Sequence, residues 1–345
     1  MSARSATSSP EHRPPVPRGE AGGAQRGPLS SSLPILAIET SCDDTCAAVI
    51  DGGGVVRSNA ISSQVHDRFG GVVPEIASRQ HLELVNLVLA RALEEAGVSL
   101  DEIGLVAVTR GPGLVGALLV GLSTAKALAA ARRLPLAPVD HLQGHVAANF
   151  LRFDGHEPFE PPFLCLIASG GHTLLAHVRE HDGFEVLGRT LDDAAGEAFD
   201  KGARMLGLGY PGGAALERLA AGGDRRAFEF PAGGARPRAG MGAGRVRFAR
   251  SLDFSFAGLK TALLYRVREL GEADARSRAA DLAASYQEAI VDSLLARAAQ
   301  ALKDTGLDRL AVGGGDRVDG QHVGCRTGRD ERTEGADGDR RGALG

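Results

Sequence analysis

Apolar and polar positions along the chain fall into two rhythms. Short apolar runs end in polar or glycine-rich turns, as strands do, and longer stretches repeat apolar residues at helical spacing. The pattern begins at Leu33; residues 1–32 are rich in Ser, Pro, Arg and Gly, so a disordered extension is expected there. Pro34–Glu39 reads as a strand, Thr40–Thr45 as a polar turn and Cys46–Ile50 as the returning strand. Asp51–Gly54 turns again and Val55–Ser58 opens a third strand, which makes a meander. His81–Ala96 has apolar residues at 82, 85, 88, 89, 92 and 93, a helical period stopped by Gly97.

Leu105–Val108 reads as a buried strand, Leu114 to about Ala131 as an apolar helix and Pro135–Val139 as a further strand. Between the first two, Gly111-Pro112-Gly113 suits either an anion site at a helix start or a tight strand-to-helix turn. It is not a Walker A loop, because no Gly-Lys-Ser/Thr follows. Phe163–Ala168 and Thr173–Val178 flank Ser169-Gly170-Gly171-His172 and repeat the first hairpin. Two such hairpins, each opening one half of the chain, indicate an internal duplication. Leu191–Leu206 is expected to be a helix whose Asp192, Asp193, Glu197 and Asp200 form a solvated acidic face, with Asp193 sharing a side with Glu197 and Asp200. Tyr210-Pro211-Gly212-Gly213 reads as a tight loop and residues 231–247 as a mobile one. Helices are expected over about Leu259–Glu269 and Asp281–Leu302, and a strand over Leu310–Val312 that ends in Gly313-Gly314-Gly315.

Composition changes this picture little. The 345 residues suit two lobes, and 43% hydrophobic with 24% charged residues is ordinary for a globular protein. A net charge of −4 gives no global signal for nucleic acid. Cys42 and Cys46 have the look of a metal pair, but the four cysteines read better as free buried thiols in a reducing compartment. With no apolar run of transmembrane length and no secretory signal, a cytoplasmic protein without a membrane partner is expected.

The candidate chemistry lies in His141-Leu142-Gln143-Gly144-His145. On a helix, residues at i and i+4 leave one face, so both imidazoles could hold one divalent metal; core or surface histidines have the same spacing. Leu142 stands where a His-Glu-x-x-His zinc protease carries its Glu, so no peptidase base is supplied.

Several blocks together resemble one family. They are Ile38-Glu39-Thr40-Ser41-Cys42-Asp43-Asp44-Thr45, Gly70-Gly71-Val72-Val73-Pro74-Glu75, Gly111-Pro112-Gly113-Leu114-Val115-Gly116-Ala117-Leu118 and His141–His145. With them go Ser169-Gly170-Gly171-His172-Thr173, Asp192 through Lys201, Tyr210-Pro211-Gly212-Gly213 and Asp253 through Lys260. The chain resembles the TsaD family, the tRNA N6-adenosine threonylcarbamoyltransferases once described as O-sialoglycoprotein endopeptidases, from about Leu33 to Gly315.

The resemblance implies an α/β, actin-like fold of the sugar kinase and Hsp70 class, with the first lobe expected at 33–140 and the second lobe, with a return to the first, at 141–315. It implies transfer of threonylcarbamoyl from L-threonylcarbamoyl-adenylate to N6 of adenosine 37 in tRNAs reading codons that begin with A, with AMP released. His141 and His145 would hold one divalent metal, Fe2+ rather than Zn2+. Ile167, Ala168, Ser169, Gly170 and Gly171 would bind the adenylate, and Asp200 and Gly213 the nucleoside. Asp43 and Asp44 would orient the attacking amine or water, although the family commonly has Glu at the second position. Implied partners are tRNA, a non-catalytic paralogue scaffold and a P-loop ATPase.

After Gly315 the resemblance stops. The family continues with an Asn that contacts the nucleoside and a later Asp that is the third metal ligand; this chain reads Asp316-Arg317-Val318-Asp319-Gly320. Among the last 30 residues 13 are charged and 7 are Gly, so no strand or helix is expected over 316–345. A reading-frame shift near the codon for Gly315 accounts for so abrupt a change, and a divergent natural terminus is the alternative. Either way impaired metal binding and activity are expected. The rival functions are a catalytically inactive actin-like scaffold and, by the family's old description, a metalloprotease.

Overall fold

The computed structural model describes residues 33–64, 71–153, 158–231, 251–314 and 323–326. The extension 1–32, Gly70, most of the 231–247 loop and nearly all of the tail lie outside these residues. Two five-stranded sheets carry the fold. The first comprises β1 (Ile35–Glu39), β2 (Asp44–Ile50), β3 (Val56–Ser63), β4 (Leu105–Gly111) and β5 (Leu136–Asp140) in the order β3-β2-β1-β4-β5. β1, β2 and β3 form an antiparallel meander, while β4 and β5 run parallel to β1.

The second sheet repeats this plan. β6 (Phe163–Ala168), β7 (Thr173–Glu180) and β8 (Gly183–Arg189) form the meander, β9 (Arg309–Gly313) lies parallel to β6, and β10 (Val323–Arg326) is the outer strand, giving β10-β9-β6-β7-β8. The duplicated hairpins expected from the sequence are therefore matched strand for strand, in an actin-like α/β fold. One strand breaks the symmetry. β10 runs antiparallel to β9, whereas β5 runs parallel to β4. Residues 112–135 link β4 to β5, enough for a helical crossover; residues 314–322 link β9 to β10, and a parallel connection needs a dozen or more. This strand corrects the expectation that 316–345 holds none. Its backbone completes hydrogen bonds along the β9 edge, which needs no apolar pattern in its own sequence.

Seven helices are described: α1 (Pro74–Ala96), α2 (Val115–Arg132), α3 (His141–Ala147), α4 (Ala195–Met205), α5 (Gly212–Ala220), α6 (Ala257–Ser277) and α7 (Ala279–Thr305). α1 starts earlier than its apolar period because Pro74 occupies the first turn, and Gly97 closes it at φ 64°. α2 packs Ala117, Leu118, Gly121, Ala125 and Ala129 inward. Contrary to the sequence expectation, α2 is long and apolar enough to cross a membrane by length and composition. Its hydropathy comes largely from Ala and Leu, and the helix lies against β4 and α1.

α4 starts at Ala195, not Leu191. Leu191 N–H bonds the Phe254 carbonyl, and the Thr173 hydroxyl accepts from Ala195 N–H at the new start. Asp192 and Asp193 thus precede the helix, and the expected acidic face is not formed. Asp192 accepts from Phe256 and Ala257 N–H at the start of α6, while Asp193 holds Lys201 and Lys260, each at 2.7 Å. α5 and β8 have no counterpart in the sequence reading. Cys165 is buried, its thiol pushed up to about 12 by burial, but Cys42 is exposed, which corrects the reading of all cysteines as buried.

Three apolar clusters hold the fold. One packs α1 and α2 on the first sheet. A second gathers α4–α7 around Tyr286, Phe254, Phe256 and Leu216. The third lies on the opposite face of the second sheet and includes Val146 of α3 with Phe163, Cys165, Ile167 and Leu174. β6 is thus covered on both faces, which explains its continuous apolar run.

Candidate functional site

α3 is the pivot of the site. Its cap, Asp140, ends β5 and accepts from Leu142 and Gln143 N–H at 2.9 and 3.3 Å, which fixes the helix to the first sheet. Its Val146 is buried against the second sheet. A short helix tied to both sheets presents His141 and His145 between them. Their Nε2 atoms stand 3.2 Å apart. That separation suits a shared proton or one ion: two imidazoles at about 2.0–2.1 Å from a tetrahedral metal have nitrogens roughly 3.3 Å apart.

The other nitrogen of His141 is also held. Nδ1 lies 3.0 Å from Glu39 Oε2 and 3.3 Å from Ser41 Oγ. Glu39 ends β1. It accepts from the Thr109 hydroxyl at 2.6 Å and from Ser41 N–H. Burial pushes the Glu39 carboxyl up, but the bonds from His141, Ser41 and Thr109 outweigh it and hold the group at about 2. A permanent carboxylate on Nδ1–H leaves the Nε2 lone pair directed at His145, the arrangement that metal-binding histidines use. The residues present therefore fit two positions of a divalent metal. Among the described residues no group of three His, Cys, Asp or Glu side chains is arranged to hold an ion. Glu39 escaped the sequence reading because an acid at the end of an apolar strand has no local pattern.

The remaining expected residues converge on the same region. Asp43 and Asp44 lie in the β1–β2 turn and at the start of β2. Burial first, and then the charges of Asp43 and Glu39, raise the Asp44 carboxyl above its ordinary value. Burial also raises Asp200 on α4, and Asp43 acts on it across the two lobes. Asp200 Oδ1 accepts from Gly212 and Gly213 N–H at 2.8 and 3.2 Å, which places Gly213 at the first turn of α5. Ile167 and Ala168 end β6, where the Ile167 side chain is fully buried in the third cluster and only its backbone can serve a ligand, and Ser169, Gly170 and Gly171 form the β6–β7 turn. Its His172 ring lies 5.5 Å from that of His141, and burial with the His141 charge lowers the His172 pKa. A Cβ on Gly170, Gly171 or Gly213 would meet nothing within 4 Å, so ligand atoms have room there.

Two glycines resolve in unexpected ways. The close approach at Gly113 is to protein: a Cβ there would lie 2.5 Å from the Ser41 carbonyl oxygen, and Leu114 N–H bonds that same oxygen at 2.7 Å. The glycine turn therefore braces the β1–β2 turn. At the end of β9 a Cβ on Gly314 would lie 2.6 Å from Ala168 O, and one on Gly313 would lie 3.9 Å from His145 O.

Two sheets of one strand order, with a His pair on the short helix tied to both, define an actin-like α/β protein. The family model for TsaD, tRNA N6-adenosine threonylcarbamoyltransferase, matches residues 55–323. A tRNA N6-adenosine threonylcarbamoyltransferase from Pelobacter propionicus is 51% identical over 296 residues, covering 85% of this chain and 80% of that protein. One from Clostridium novyi is 45% identical over 291 residues, covering 83% and 81%. Among solved structures, component A of (R)-2-hydroxyglutaryl-CoA dehydratase from Acidaminococcus fermentans superposes with a TM-score of 0.45 at 13% identity, covering 82% of this chain and 83% of that one. The chain belongs to the tRNA N6-adenosine threonylcarbamoyltransferase family.

Proposed function

We propose that this site transfers the threonylcarbamoyl group of L-threonylcarbamoyl-adenylate to N6 of adenosine 37 in tRNAs reading codons that begin with A. TsaD enzymes act on tRNA, and the observation that carries the finer reading is the meeting of His141, His145 and Glu39 with Asp43, Asp44 and Asp200 between the lobes. The adenylate lies along residues 167–171, with room at Gly170 and Gly171 for phosphate to approach the backbone. Asp200, one oxygen committed to α5, offers the other to the ribose hydroxyls. The N6 amine attacks the carbamoyl carbon, the bond from that carbon to the phosphate oxygen breaks, and AMP departs. Asp44, its carboxyl raised by burial, is suited to accept the amine proton; Asp43 orients the amine. His141 and His145 would hold one divalent metal, Fe2+ in preference to Zn2+, which would supply Lewis-acid polarisation there.

The partners that go with this reading are a paralogue scaffold and a P-loop ATPase, in the cytoplasm and without a membrane. Leu82 and Leu87 on α1 and Val115 and Leu119 on α2 are exposed, and the two helices touch where Gly116 approaches Ser78. That apolar surface suits a folded protein partner.

The tail supports impairment of this particular chain. Two imidazoles with no third protein ligand bind a divalent ion weakly. The test is transfer of labelled threonylcarbamoyl to tRNA by two proteins: this chain, and the chain with residues after Gly315 replaced by a relative's C-terminal segment. The first is expected to be nearly inactive and the second to form the modified nucleoside. Failure of both proteins to transfer, when both are folded, overturns the reading and favours the inactive actin-like scaffold.

A further inference from the structure

His81 is fully buried on the inner face of α1, outside the machinery described so far. Its Nε2 lies 3.0 Å from the Cys42 carbonyl oxygen, and its Nδ1 lies 2.8 Å from the Thr45 hydroxyl. A carbonyl only accepts, so Nε2 carries the proton and Nδ1 takes the hydroxyl hydrogen. The two contacts fall on either side of Asp43 and Asp44. Thr45 is itself buried and fixed in β2. The Cys42 carbonyl belongs to the turn, so the ring ties the turn to the strand that follows it and both to a long, well-packed helix. Neighbouring bonds hold adjacent points: Gln64 N–H on the Asp43 carbonyl and Leu114 N–H on the Ser41 carbonyl.

We propose that His81 is a positioning residue that sets the Cys42–Asp44 turn and, through it, the direction of the Asp43 and Asp44 carboxylates. Both ring nitrogens of this buried imidazole are committed to the turn and the strand that follows it, so the ring orders that segment. The two residues it brackets are the acids assigned above to the attacking amine. A displacement of about 1 Å in such groups lowers turnover by up to roughly a hundredfold. The catalytic part of this inference rests on the assignment of Asp43 and Asp44; the effect on the backbone does not.

The variants are His81→Leu, which loses both bonds, and His81→Gln, whose amide keeps a donor toward Cys42. Amide hydrogen exchange is followed by mass spectrometry in the full chain. In His81→Leu, exchange at residues 42–45 is expected to quicken about tenfold or more, with the rest of α1 and β1 unchanged, and His81→Gln is expected to restore it. Unchanged exchange at 42–45 in His81→Leu overturns the proposal. So does an equal rise throughout the first lobe, or a His81→Gln that behaves like His81→Leu. Should His81→Leu not fold, Thr45→Val removes the hydroxyl arm alone and must quicken exchange at residues 42–45 for the proposal to stand. In the chain carrying a relative's C-terminal segment, His81→Leu is expected to lower kcat 10- to 100-fold with KM for tRNA unchanged. A parent protein that transfers nothing defeats the functional reading and leaves the exchange result to decide the role of His81.

Discussion

A carboxylate buried at the end of a strand is unfavourable unless hydrogen bonds replace its water, and Glu39 has three such partners. Its bond to His141 Nδ1 fixes which imidazole nitrogen faces His145. Glu39→Gln keeps the shape and loses the charge, so affinity for Co2+, used as a spectroscopic probe, is expected to fall 10- to 100-fold in an absorbance titration. Gly196 is a second single-residue test. A Cβ there would lie 2.8 Å from Gly170 Cα and Ser169 O, because the first turn of α4 backs directly onto the β6–β7 turn. Gly196→Ala is expected to weaken AMP binding about tenfold in calorimetry while the protein stays folded, since the displaced atoms are backbone. The histidine pair could be read from its spacing of four. Glu39 and Gly196 could not, because their roles lie in contacts to residues far along the chain.

At the scale of elements, the β6–β7 hairpin and α1 followed their patterns, and α4 did not. Its expected first turn is held by tertiary bonds to α6 instead. Asp193 shows the consequence. Burial pushes its carboxyl up, but hydrogen bonds from Lys201 and Lys260 outweigh this, so it titrates below the ordinary carboxylate value. A depressed value in the folded state adds stability that is full above about pH 4 and is lost as pH falls through the folded value. Asp193→Asn is expected to cost about 1–3 kcal/mol at pH 7, seen as a Tm lower by several degrees. The gap between the Tm values of the two proteins should narrow as the pH is taken below about 4. A gap that widens in acid would contradict this sign.

At the scale of the molecule, the two sheets match strand for strand except at the last position, where the first lobe has a helical crossover and a parallel strand and the second has a short antiparallel one. Replacing the residues after Gly315 with a relative's segment is expected to raise Tm and to tighten Co2+ binding at least tenfold, as a third ligand joins the pair. An unchanged Tm and affinity would mean that the tail of this chain is an adequate terminus.

By itself the sequence determined the duplicated hairpins, most of the helices, the histidine pair and the family, because each is written in local periodicity or in short motifs with fixed spacing. The tail after Gly315 changes composition, while the family match extends to residue 323. Only the tertiary structure decided that Glu39 orients His141, that Asp193 bonds lysines rather than water, that the Gly113 turn braces Ser41, and that α3 is seated on both sheets. Those facts depend on which distant residues share a buried volume, where a missing hydrogen bond costs more than any local preference supplies.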